Sequence, residues 1–61
     1  MAHLTMMELD TLRHMIGEQR LCVDKLNHYA QHCLDPELKN HFQHLASLCN
    51  QNVQKLMGFL G

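Results

Sequence analysis

The side chains with the most chemistry in this 61-residue chain are its thiols and the polar groups spaced around them. Glu18 and Cys22 are one helical turn apart, Gln19 adjoins Glu18, and Asn52 follows Cys49 by three positions. On a helix, residues three or four apart share a face. A carboxylate with two thiolates (Glu18, Cys22 and Cys49) is a donor set for a transition metal, and a symmetric dimer would present each donor twice. The same residues also suit a structural part. Free cysteine packs as a small hydrophobe, and Gln19 and Asn52 can hydrogen-bond across a bundle and set its register. Both readings stand open on the sequence.

Six histidines add a further set of possible metal donors. His14 with Glu18, His28 with His32, and His41 with His44 are each three or four residues apart, a spacing at which two side chains can share a metal. Projected on helices, however, His14, His28, His32 and His44 lie off the apolar stripes, and only His41 flanks one. They read as a solvated surface whose charge changes between about pH 5 and 8. The five methionines (Met1, Met6, Met7, Met15 and Met57) contain no M-x-x-M copper run. No Ser-His-Asp grouping, Gly-rich phosphate loop or paired acids point to hydrolysis or phosphoryl transfer. No enzymatic activity is expected.

Two helices would have to position these groups. Thr5 and Glu8 form a capping-box pattern, with Leu4 and Leu9 placed as a hydrophobic staple. Asp35 is a good N-cap, Pro36 suits the first helical position, and Glu37 sits where the helix dipole favours an acid. Pro36 also holds Asp35 out of the helical region, so a preceding helix must stop before it. The expectation is one domain over 1–61: a first helix at about 6–33, a turn at 34–35, and a second helix at about 36–58, with Gly58 and Gly61 loosening its end. No segment alternates with period two, so no strand is expected. Counting outward from the turn, Cys22 and Cys49 fall in one layer, together with Glu18, Gln19 and Asn52. Gly17, in mid-helix, either permits close helix approach or is a surface glycine.

Each helix carries an apolar stripe, wider than the face of about 100° typical of a surface helix. Leu12, Ile16, Val23 and Leu26 belong to the first, and Phe42, Leu45 and Leu56 to the second. A hairpin covers only part of each. The closed solution is an all-α, two-helix antiparallel hairpin that dimerises into a four-helix bundle, with Gln19 and Asn52 joining the apolar residues at its core. So short a chain buries only about 60% of its unfolded surface, too little for two domains or a large catalytic cleft. A net charge of −1, with the five basic residues spread singly, excludes the basic footprint of a nucleic-acid binder. No apolar run is long enough to span a membrane, and the first ten residues lack the basic and apolar regions of a secretory signal. Three cysteines, an odd number, argue against an intramolecular disulfide framework and for a reducing, cytoplasmic setting.

The run Leu4-Thr5, Glu8-Leu9, Leu12, His14, Ile16, Glu18, Lys25, Tyr29-Ala30-Gln31, then Asp35-Pro36-Glu37-Leu38-Lys39 and Phe42-Gln43, Leu45-Ala46, resembles the spore coat protein F family, small ferritin-like helical proteins of spore-forming Firmicutes. The resemblance covers nearly the whole chain, and the turn is its most specific part. It implies a ferritin-like four-helix bundle built from hairpins, a structural or assembly role in the spore coat or in the mother cell, and self-association with other coat proteins as further partners. Metal-binding relatives carry a Glu on one helix and an E-x-x-H pair on the next. Glu18 matches the first, but Ala46 stands for the acid and Cys49 for the histidine. One carboxylate per chain does not hold a di-iron centre, which needs several Glu and His from facing helices. No cofactor is therefore expected in the main reading. The alternative is a metal-storing or metal-sensing bundle whose Glu18/Cys22/Cys49 layer would take zinc or copper in preference to iron.

Overall fold

In the computed structural model, which describes residues 3–60, two capping arrangements decide where helices begin. The Thr5 side chain accepts from the Glu8 backbone N–H at 3.1 Å, while the Glu8 carboxylate accepts from the Thr5 N–H at 3.0 Å. Two of the donors that any helix start leaves without partners are thereby satisfied. Helix α1 runs from this box over Met6–Gln31. At the second start, Asp35 accepts from the Leu38 N–H at 3.0 Å and Pro36 occupies the first turn of helix α2, Pro36–Met57. The described residues contain no strand, so the chain is an all-α hairpin.

Helix α1 stops two residues short of the sequence expectation. Its last N–H groups, those of His32 and Cys33, bond to carbonyls at Tyr29 and Ala30 in tightened turns. Asp35 is already extended, with ψ 120°, as the residue before a proline must be. The chain spends 32–35 making that change of direction. At the other end Gly58 is right-handed (φ −59°, ψ −25°), and Phe59 and Leu60 continue in tight turns bonded to Leu56 and Met57. Gly58 therefore extends the coil of α2 and does not unwind it. Gly61 and Met1 lie outside the described residues.

Among the described residues five are buried: Leu12, Ile16, Ala30, Ala46 and Val53. Leu12, Ile16 and Val53 form one cluster near the end where the chain begins and ends, with Leu4 and Leu56 packed on it. Gln19, Val23, Leu26, Phe42, Leu45 and Leu56 are only half-buried, and Asn52 is exposed. Each helix has a single helical neighbour, so a stripe that spans nearly half of its circumference cannot all be covered. Ala46, absent from the apolar stripe read in the sequence, is 4% exposed because a small side chain fits where the helices press together. A Cβ added to Gly17 would meet nothing within 4 Å, so this glycine serves no close helix approach. The hairpin measures 46 × 16 × 11 Å.

Candidate functional site: a thiol pair on an apolar face

Helical periodicity makes the hairpin two-sided. Met15, Cys22 and Tyr29 recur every seven residues on α1, and Leu38, Leu45 and Asn52 do so on α2, with Phe59 continuing the spacing in the turns just beyond it. Residues so spaced share a face. The two rows lie on the same side of the hairpin, because Met15 lines one groove with Leu56 and Phe59. Further along, Tyr29 and Phe42 bring their ring centroids to 6.0 Å beside the turn. The reverse side is different. There Asn27, Gln43, Ser47 and Asn50 edge a shallow polar groove over Val23 and Ala46.

Between the aromatic pair and the buried cluster, the Cys22 and Cys49 sulfurs are 3.3 Å apart, one thiol donating to the other. Both are free thiols and both are half-buried. The hydrogen bond with Cys22 pushes the Cys49 thiol above its ordinary pKa, with desolvation and the Cys22 charge acting in the same direction. Each cause opposes the thiolate, so at neutral pH Cys49 is a weaker nucleophile and ligand than a free cysteine.

The other expected members of this layer do not converge on the sulfurs. Glu18 is exposed and lies beside Cys22, Lys25 and Tyr29 in an open groove on α1. Among the described residues no three His, Cys, Asp or Glu side chains are grouped to hold a metal ion. Gln19 and Asn52 do not bond across the helix pair: among the described residues, the side-chain contacts that cross it at hydrogen-bond length are Cys22 with Cys49 and Arg20 with Met57. The exposed Asn52 amide finds water on a single hairpin and has no need of Gln19.

Sequence reasoning missed the Arg20 contact, in which a guanidinium nitrogen donates to the Met57 sulfur at 3.4 Å. Counting from the turn pairs Arg20 with residues near 50, and only the length of arginine carries it to Met57. The histidines at 3, 14, 28, 32, 41 and 44 are all exposed. His28 and His32 bring their ring centroids to 4.5 Å with the planes tilted by 58°, and His41 and His44 lie near Asp35 and Glu37 in an open groove. Cys33 sits in the turn, where its thiol donates to the Asp35 carbonyl at 3.5 Å. Within the described residues, no helix is long and apolar enough to cross a membrane. Comparison with protein-family models, curated proteins and solved structures finds no match to this chain.

Proposed function

We propose that this chain is a non-enzymatic, self-associating helical hairpin whose two-fold dimer is a four-helix bundle. Its role would be structural, as an assembly unit of a spore coat or of its precursor layer in the mother cell. The observation that carries self-association is the two-sidedness of the hairpin. A row of Met15, Cys22 and Tyr29 and another of Leu38, Leu45 and Phe59, interrupted by the exposed Asn52, leave one long face mostly apolar, while the groove at Asn27, Gln43, Ser47 and Asn50 on the reverse side is polar.

Surface arithmetic supports a second copy as the occupant. A folded monomer of 7.1 kDa exposes about 4,100 Å², whereas this chain exposes 4928 Å². The excess of about 850 Å² is close to the roughly 800 Å² that each partner buries at a standard interface. The radius of gyration, 14.3 Å against about 10.5 Å for a compact domain of this length, reflects the same elongated shape. A symmetric face-to-face pair uses the same patch on both copies and leaves no open surface to propagate. The coat assignment draws its support from the resemblance over Tyr29-Ala30-Gln31 and Asp35-Pro36-Glu37-Leu38-Lys39.

The test is solution mass with melting. The expected result is about twice 7.1 kDa, with a melting temperature that rises with concentration, as linkage requires. Leu45→Glu on the apolar face should dissociate the dimer, and Gln43→Glu on the polar face should not. A wild-type chain that is monomeric and fully helical at micromolar concentration would overturn the reading. For the coat role, a tagged chain should extract with the coat fraction of spores; recovery from vegetative cytoplasm alone would refute it.

The thiol contact favours one second reading, a metal-binding bundle. Two chains supply four thiolates, and thiolates select zinc or copper(I) over iron. Tetrahedral zinc with bonds of about 2.3 Å separates its sulfurs by about 3.8 Å, so the pair at 3.3 Å would open by roughly half an ångström. Titrating the reduced protein with zinc should then give one ion per dimer, lost in Cys49→Ser. Binding no tighter in the wild type than in that variant would dispose of it.

A further inference from the structure

We propose that Cys22 and Cys49 are a modification site: a dithiol that closes reversibly to an intrachain disulfide by exchange with a low-molecular-weight disulfide. The inference goes beyond self-association: both sulfurs belong to one chain, and the exchange takes place on the separated hairpin, because Cys22 lies in the row that a second copy would cover.

The geometry carries the argument. Sulfurs on two different helices, 27 positions apart in the chain, meet at 3.3 Å. A disulfide needs about 2.05 Å, so the two sulfurs must close by roughly 1.3 Å. Neither thiol is sealed in the core: both are half-buried, and Cys22 borders an open groove with Leu26 and Tyr29. A small disulfide therefore has a way in on the single hairpin. The third cysteine does not compete within the chain, because Cys33 is held in the turn against the Asp35 carbonyl. An odd count of cysteines, which speaks against a disulfide framework, is thus resolved into one facing pair and one thiol apart from it.

The exchange balances in two steps. The thiolate of one cysteine attacks the small disulfide, forming a mixed disulfide and expelling one small thiolate. The second cysteine, as its thiolate, then attacks the protein sulfur of that mixed disulfide. The Cys22–Cys49 bond forms, the mixed bond breaks, and a second small thiolate leaves. Two protein thiols are oxidised and one small disulfide is reduced to two thiols, which take up the two protons the cysteines lost. The Cys49 proton is held above its ordinary pKa by the neighbouring thiol, so the reaction speeds up as pH rises and more thiolate forms.

The test uses the full chain carrying Cys33→Ser, reduced, with a metal chelator present, and then equilibrated with oxidised and reduced glutathione. Remaining thiols are alkylated, and intact mass and peptide mapping follow. Pairing of Cys22 with Cys49 inside one chain is the expected product. At about 10 µM protein, an effective thiol concentration on the order of 1 mM favours it roughly 100-fold over crosslinks between separate chains. Cys49→Ser should stop at a glutathione adduct on Cys22. With helicity intact by circular dichroism, a Cys33→Ser protein that gives only glutathione adducts or interchain crosslinks overturns the proposal. Wild-type protein mapped in the same way should leave Cys33 as the alkylated residue; pairing of Cys33 with either partner at the expense of Cys22–Cys49 counts equally against it.

Discussion

Closing the Cys22–Cys49 bond should raise the stability of the hairpin by an amount set by chain length. The crosslink joins residues 27 positions apart, and confining a loop of that size in the unfolded chain corresponds to about 3.5 kcal/mol at room temperature. For a domain of about 60 residues each kcal/mol moves the midpoint by roughly 4–8 °C, so the oxidised form should melt about 15–25 °C above the reduced form. The measurement is thermal unfolding of the Cys33→Ser protein, oxidised and reduced, by far-ultraviolet circular dichroism at several concentrations. Loop closure acts on the unfolded chain, so the difference between the two forms should persist on dilution. The contribution of a partner copy, by contrast, grows with concentration. An oxidised form that melts no higher than the reduced one would refute the reasoning, because bending the helices to reach disulfide geometry would then cost as much as the crosslink contributes.

Three further outcomes follow from the helices themselves. Gly17 is exposed and a Cβ there meets nothing within 4 Å. Gly17→Ala should therefore stabilise by about 1 kcal/mol through helix propensity alone, and a lower midpoint in urea would show that the glycine is needed for a contact. Asp35→Ala removes the side-chain acceptor of the Leu38 N–H and should cost about 1 kcal/mol in the same denaturation, whereas an unchanged midpoint would mean the turn is held by other groups. The Glu8 carboxyl is held below its ordinary 4.5 by its hydrogen bonds with Thr5, that with the backbone first. A depressed carboxyl contributes its stability above the unfolded pKa and loses it as pH falls through the folded value. Glu8→Gln should flatten the part of the pH–stability curve below 4.5 that belongs to this residue; an identical curve would remove the capping box from the acid response.

The hairpin's local features are legible in the sequence because each is decided within a few residues. Thr5 and Glu8 are three apart, and Asp35 and Pro36 set both the stop of α1 and the start of α2. Counting from that turn also puts Cys22 level with Cys49, since two long helices leave little freedom of register once the connection is short. Long-range detail is less accessible. Ala46 is invisible to a search for large apolar residues, although a close helix contact is where a methyl group fits best. Glu18 and Asn52 have the spacing of site residues, yet spacing along one helix does not say whether a side chain turns toward the neighbouring helix or toward water. In a single hairpin the half-circumference left without a partner is available to both, and they stay in solvent. Arg20 reaches Met57 by side-chain length, which no periodicity encodes.

The placement of the aromatic pair and of the buried cluster also orders events in time. Tyr29 and Phe42, 13 positions apart, meet beside the turn, whereas Leu12 and Val53, 41 apart, pack at the far end. Closing the longer loop from the unfolded chain costs about 1 kcal/mol more than closing the shorter one. Contacts near the turn thus form first, and zippering of the two helices outward brings Leu12 and Val53 together with most of that loop already closed. The cluster of Leu12, Ile16 and Val53 is completed at the last step, where it slows the opening of a hairpin that begins to close at its turn.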